Sequence, residues 1–102
     1  MPERKKFDVL DPPPGALQSG GTEIFRAVIV DGELHVSIRN VFDDAGTWGI
    51  LLMDIARHAA RIYEREGEMT FAQALKRIDD LYAAERDRPT DMGETHDHKK
   101  HQ

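Results

Sequence analysis

The sequence predicts a small α+β domain, a β-hairpin packed by two amphipathic helices. Three observations favour this class: alternating apolar residues on both sides of Asp31-Gly32, a later change to helical periodicity, and a length of 102 residues, which suits one domain. The chain contains no cysteine. That composition excludes disulfide frameworks, thiolate zinc sites and cysteine nucleophiles.

The hairpin is predicted over residues 22–39. β-Branched and aromatic residues precede Asp31-Gly32, a dipeptide that suits the positive φ angles of a type I′ turn. A two-residue turn places Ile29 opposite Leu34 and sorts the side chains onto two faces. The inner face, which we expect to form the core, carries Phe25, Ala27, Ile29, Leu34, Val36 and Ile38.

The outer face of the hairpin combines apolar and charged residues. It carries Ile24, Arg26, Val28, Val30, Glu33, His35, Ser37 and Arg39. The first strand is too apolar on this side to remain wholly in water. We therefore expect one of three covers: the N-terminal arm folds over it, the arm adds a strand, or a second copy pairs with the edge. We expect Ile24, Val28 and Val30 to form an interface and favour a homodimer, with another protein partner as the alternative.

Two helices are predicted after the hairpin, over residues 44–66 and 70–87. The first has an apolar stripe of Trp48, Leu51, Leu52, Ile55, Ala59, Ile62 and Tyr63, with Met53, Asp54, Arg57, Arg61 and Glu64 opposite. Thr70 and Gln73 have the spacing of a capping box at the start of the second helix, and Pro89 ends it. We expect both helices to cover the hairpin, with Trp48 as the main core side chain.

The two ends of the chain are predicted to lie outside this domain, which spans residues 22–89. Residues 1–21 are rich in proline and glycine and predict an extended arm. Residues 90–102 are polar, contain histidine and predict a disordered tail. No apolar run is long enough for a signal-peptide core or for a membrane span of about 20 residues. We therefore expect a cytoplasmic protein that does not contact membranes.

The charge balance bears on possible partners. Lys and Arg number 14 against 19 Asp and Glu, which gives a formal net charge of -5. Binding to a phosphate backbone requires a basic face. We therefore expect no nucleic-acid partner, although a local basic patch stays compatible with this total.

The outer strand face carries the better of the candidate sites. Arg26, His35, Ser37 and Arg39 lie together there, and two guanidinium groups with an imidazole can hold a carboxylate or phosphate. The plainer alternative is a polar surface whose arginines pair with Glu23 and Glu33. A third possibility is a dimer interface, in which these residues form hydrogen bonds and ion pairs with the same residues of a second copy.

Two further clusters carry weaker signals. On the first helix Asp54 lies one turn from His58 and could orient it as a general base, with Arg57 and Arg61 nearby. No nucleophile has a predictable spacing from this pair, so we favour a salt-bridged surface and assign no catalytic residue. In the tail His96, His98 and His101 have metal-chelating spacings. A disordered segment cannot fix their surroundings, so we predict no functional metal and no cofactor.

Several segments resemble a family of short proteobacterial proteins of unknown function, over about residues 13–93. They are SGGTEIFRA at 19–27, VDGELHVSIR at 30–39, WGILL at 48–52, IARHAA at 55–60 and DRPT at 87–90. The resemblance implies no activity, ligand or catalytic residue. We therefore expect a non-enzymatic protein-interaction or homo-oligomerisation module. The alternative is a small-anion-binding domain, or a minor enzyme, that uses Arg26, His35 and Arg39.

Overall fold

The computed structural model describes residues 6–90 and 93–98 of the chain. The elements in chain order are α1 (Pro14–Ser19), β1 (Phe25–Val30), β2 (Glu33–Arg39), α2 (Gly46–Arg65), α3 (Phe71–Asp87) and β3 (Glu94–His98). The strands form a three-stranded sheet in the order β1-β2-β3. The predicted α+β class is confirmed.

The hairpin of β1 and β2 has the register that the sequence predicts. Ile29 pairs with Leu34 and Val30 with Glu33 in an antiparallel ladder. Asp31 and Gly32 form the turn with φ angles of 51° and 81°, both in the left-handed region that a type I′ turn requires. The turn dipeptide and the alternation of side chains therefore determine this element locally.

The strand β3 corrects the expectation of a disordered tail. It pairs with β2 in parallel, with Ser37 opposite His96 and Arg39 opposite His98. Strand pairing uses backbone N–H and C=O groups, so a polar segment can form it without the apolar alternation that marks a strand in sequence. His101 and the other residues outside 6–90 and 93–98 lie beyond the described part of the chain.

The helix α1 corrects the expectation that the arm has no regular structure. Pro14 begins this short helix, because its fixed φ angle suits the first turn and its missing N–H costs no hydrogen bond there. Gly20 follows the helix with a φ of 78°, and its N–H donates to the carbonyl of Ala16. No residue of α1 is buried.

The long helices α2 and α3 form close to their predicted bounds. Thr70 caps α3: its hydroxyl accepts from the N–H of Gln73 at 3.1 Å, and Gln73 Oε1 accepts from the N–H of Thr70 at 2.9 Å. This arrangement confirms the predicted capping box. At the other helix Asp44 Oδ1 accepts from the N–H of Gly46 at 2.8 Å.

The packing of these helices differs from the expected cover over the hairpin. Helix α2 packs against α3, whereas no Cα of a described helix lies within 8 Å of a Cα of a described strand. Ala60 and Ala74 are the buried apolar residues of the described chain, since small side chains let two helices approach closely. Trp48 is half-buried and contacts Phe42, with ring centroids 5.2 Å apart, instead of filling a core under the sheet.

The inner face of the hairpin is consequently open at its turn end, whereas Phe25, Val36 and Ile38 further along are half-buried. Ile29 is 69% exposed and Leu34 41% exposed. The periodicity of the helices identified their apolar side but not the surface that this side contacts, because a pattern of spacing contains no information about the partner. Within a single chain, both the sheet and the helical pair retain apolar surface.

Candidate functional site

The predicted outer-face site is only partly assembled. Arg26, Ser37 and Arg39 line a cavity of about 170 Å³, which we call the basic pocket. Its other lining residues are Glu23, Ile24, Phe25 and His98. His35 lies on the same face of β2, two residues before Ser37, but it does not line the pocket. It stacks instead on His96, with ring centroids 6.5 Å apart.

The β-sheet register explains why these side chains converge. Arg26 of β1 lies opposite Ser37 of β2, and Arg39 of β2 lies opposite His98 of β3. Directly opposed residues have their Cβ atoms about 4.5–5.5 Å apart and point to the same face. Sequence reasoning missed His98 as a member because the segment that carries it was expected to be disordered.

The charges in the basic pocket are unevenly compensated. Arg26 Nη2 donates to Glu23 Oε1 at 2.8 Å, as the plainer alternative expected, and the ring of Phe7 lies 5.8 Å from the Arg26 guanidinium carbon. Arg39 Nε, by contrast, is shielded from solvent and has no hydrogen-bond acceptor among the described residues. Arg39 thus lines the pocket while its Nε, shielded behind the lining, keeps an unused hydrogen-bond donor.

A second candidate surface lies between the two long helices. It is a groove of about 420 Å³, which we call the apolar groove, lined by Gly49, Leu52, Met53, Ile55, Ala56, Ala59, Leu75, Ile78, Asp79 and Tyr82. Three of the α2 residues in this lining, Leu52, Ile55 and Ala59, belong to the apolar stripe that was predicted to pack on the sheet. The apolar stripe of α2 was therefore recognised in the sequence, but the surface that it contacts was predicted wrongly.

The residues predicted to form an interface lie beside the basic pocket. Ile24 and Val28 are half-buried, whereas Val30 is exposed. Phe7 of the arm reaches the same face through its contact with Arg26, and β3 adds a strand to the far side of the hairpin. Of the three covers considered for this face, the described residues show the arm in part, through Phe7. The added strand β3 comes from the tail and pairs with β2, so it is not the strand that the arm was expected to add.

The remaining candidate clusters, the Asp54–His58 pair on α2 and the histidines of the tail, form no assembled site among the described residues. Asp54 pairs with Arg57 at 3.1 Å, while His58 is exposed and has no hydrogen bond to Asp54 within the described chain. Among residues 6–90 and 93–98, no group of three or more side chains is arranged to hold a metal ion.

No helix in those residues combines the length and apolar character needed to cross a bilayer.

Comparison with known proteins places this α+β domain in a family. The chain belongs to the family described as domain of unknown function DUF5076, whose model matches residues 9–90; this confirms the resemblance drawn from the sequence. The chain is also similar to a solved structure described as a "putative pyruvate dehydrogenase" from the photosynthetic bacterium Rhodopseudomonas palustris. The two are 43% identical with a TM-score of 0.66, covering 85% of this chain and 92% of that one. No curated protein matches the chain significantly.

Proposed function

We propose that this chain is a non-enzymatic homodimerisation module and that the apolar groove receives the helical pair of a second copy. The exposure of the α2 stripe carries the proposal. Leu52, Ile55, Ile62 and Tyr63 are 42–49% exposed, although their spacing is that of a helix face packed against another element. A continuous apolar face of this kind on a small domain favours an interface.

The total surface of the chain supports an assembly. The chain exposes 9337 Å², whereas a compact monomer of this mass exposes about 5,800 Å². Its radius of gyration is 16.3 Å, against about 12.8 Å for a compact domain of this length. The extended arm contributes to both differences, but the excess of about 3,500 Å² far exceeds the roughly 800 Å² per partner that a stable dimer buries.

The geometry of the apolar groove suits a second copy of the same helices. On α2, Leu52, Ile55 and Ala59 recur at intervals of three and four residues, and on α3 the groove continues through Leu75, Ile78 and Tyr82. Two such helical pairs related by a two-fold axis would bring these rows together as in a four-helix bundle.

The charge of the groove also favours an apolar, self-complementary occupant. Asp79 is the charged residue in its lining, so association requires little desolvation of ionised groups. Nothing in the lining resembles a set of acid, base and nucleophile. The dehydrogenase activity named for the Rhodopseudomonas relative is therefore not part of the proposal. A cytoplasmic location stays a prediction.

Sedimentation equilibrium of the full chain at tens of micromolar tests the proposal. We expect the wild type at twice 11.6 kDa. Ile55→Asp, in the groove, should raise the dimer dissociation constant at least about 100-fold, because it places an unpaired charge in the interface. Ile50→Asp is the matched control: Ile50 lies on the same helix, is 66% exposed and lies outside the groove lining, so this variant should remain dimeric.

Two results would contradict the proposal. One is a wild-type chain that stays monomeric throughout the concentration range. The other is an equal rise of the dimer dissociation constant in Ile55→Asp and Ile50→Asp. That result would show that the chains do not associate through the apolar groove. Circular dichroism should report unchanged helix content in both variants. If Ile55→Asp loses helix, Ile55→Ala provides the comparison, with a smaller rise in the dissociation constant.

A further inference from the structure

We propose that the basic pocket binds a small organic anion whose carboxylate or phosphate group is held by Arg39, Ser37 and His98. This site lies on the sheet, whereas the proposed dimer contact lies on the helices, so the two proposals stand on different residues. The ligand class follows from the donors, the size of the cavity and the charge of its wall.

The donors come from neighbouring strands. Ser37 and Arg39 are two residues apart on β2 and therefore share a face, and His98 of β3 lies opposite Arg39. A guanidinium group only donates hydrogen bonds, and a hydroxyl or imidazole can also donate. The pocket thus presents several donors from a rigid sheet toward one volume, which suits an oxyanion.

The unpaired Nε of Arg39 is the observation that points to a ligand. This nitrogen is shielded from solvent and has no acceptor within the described chain, a state that is unfavourable for a donor. In its present position Nε is not reached from the cavity, so an oxyanion would become its acceptor only if the Arg39 side chain turned toward the cavity. A guanidinium group binds such an anion through two parallel hydrogen bonds. Arg26 is less available, because Glu23 already accepts from it at 2.8 Å.

The size and walls of the basic pocket limit the ligand. Its volume of about 170 Å³ accommodates a small molecule, and because the pocket is open on one side, a longer ligand could extend out of it. Ile24 contributes apolar wall, which favours a short carbon chain beside the anionic group. Glu23 on the wall repels additional negative charge. A short monocarboxylate fits these limits better than a multiply charged phosphate.

Nuclear magnetic resonance of the full chain tests the site directly. Propionate and inorganic phosphate are titrated separately at constant ionic strength, with sodium chloride as the blank, while the Nε–H signals of arginine and the backbone amides are followed. We expect saturable shifts at Arg39 Nε and at the amides of Ser37 and His98, at lower concentration for propionate. Saturation by phosphate alone would assign the site to a phosphate-bearing ligand and still support an anion site.

Variants separate binding from a general charge effect. Arg39→Gln should weaken binding at least about tenfold, because it removes a charged hydrogen-bond donor. Arg39→Lys keeps the charge but loses the two-pronged geometry and should also bind more weakly. Arg57→Gln, which changes an arginine paired with Asp54 on α2, is the matched control and should bind like the wild type.

The proposal is overturned if neither anion gives saturable shifts beyond those of the chloride blank. It is also overturned if Arg39→Gln and Arg39→Lys both bind as tightly as the wild type. The groove variant Ile55→Asp should retain the shifts at Arg39, so loss of dimerisation and absence of the anion site are distinguishable results.

Discussion

The backbone N–H of Phe71 donates a hydrogen bond of 2.8 Å to Oε2 of Glu64 and joins the start of α3 to the last turns of α2. Arg61, one turn earlier on α2, lies over the ring of Phe71 at 5.9 Å. Glu64 and Arg61 both lie opposite the apolar stripe of α2. Helix α3 therefore packs beside the stripe, and the stripe residues Leu52, Ile55 and Ala59 line the apolar groove together with α3. Leu52 and Ile55 stay 49% and 42% exposed, so they remain available to a second copy.

The capping box at Thr70 should stabilise the helical pair measurably. Thr70→Ala removes the hydroxyl that accepts from Gln73 N and should lower the free energy of unfolding by about 1 kcal/mol. Thr70→Ser keeps an acceptor and should cost less. Urea unfolding followed by circular dichroism measures both. Equal losses in the two variants would show that the hydroxyl contributes nothing to the cap.

Asn40 should stabilise the connection between β2 and α2. Its Oδ1 accepts from Phe42 N and from Trp48 Nε1, each at 3.2 Å. Asn40→Ala loses both hydrogen bonds and should reduce stability by about 1–2 kcal/mol, whereas Asn40→Asp keeps an oxygen acceptor and should lose less. Urea unfolding followed by tryptophan fluorescence reports the change. A wild-type midpoint for Asn40→Ala would exclude this role.

The turn of the hairpin requires glycine at position 32. Gly32 has a φ of 81°, and a Cβ atom at this position would meet no other atom within 4 Å. Gly32→Ala therefore acts through backbone strain alone and should cost about 1–2 kcal/mol. Gly15→Ala is the control, because Gly15 lies in α1 at a φ outside the left-handed region, also with open space around it. Chemical denaturation compares them. A cost for Gly32→Ala no greater than that for Gly15→Ala would contradict the turn assignment.

One lysine should titrate above its usual range. A hydrogen bond of 2.9 Å from Lys76 Nζ to Asp80, together with the charge of Asp80, raises the pKa of Lys76 above 10.5, and Asp79 adds a smaller effect. A raised pKa in the folded state stabilises the fold while the group is protonated. This contribution is fully present below pH 10.5 and is lost as the pH rises through the higher folded value.

The corresponding test uses two neighbouring carboxylates. Asp80→Asn should lower the pKa of Lys76 toward 10.5, and Asp79→Asn should lower it less. Titration of the Lys76 side-chain signals by nuclear magnetic resonance measures both changes. An unchanged pKa in Asp80→Asn would show that the ion pair does not form in solution. The Lys76 side chain is 77% exposed, so added salt should weaken the effect.

The sequence predicted the locally determined parts of the fold. The hairpin register follows from Asp31-Gly32 and the alternation around it, and α3 begins where Thr70 and Gln73 form the expected cap. It did not predict β3, because backbone pairing leaves no mark on a polar segment such as Glu94–His98. The basic pocket was accordingly predicted through Arg26, Ser37 and Arg39 but without His98.

The packing of the long helices could not be derived from periodicity. The stripe through Leu52 and Ile55 was recognised, but we assigned it to the hairpin, and the structure leaves it exposed. Ala60, which belongs to neither the predicted stripe nor the predicted polar side, is the α2 residue that is buried. Which surface an apolar face contacts depends on the relative placement of whole elements, including those of another copy.

The most direct test of a second copy in the apolar groove is an isotope-filtered nuclear Overhauser experiment. Equal amounts of ¹³C-labelled and unlabelled full chain are mixed, and only contacts between the two populations are observed. Contacts from the methyl groups of Ile55 and Leu52 to the partner's helices are the expected result, with none from Ile50. A spectrum without intermolecular contacts, recorded where sedimentation also shows a monomer, would contradict the proposed dimer.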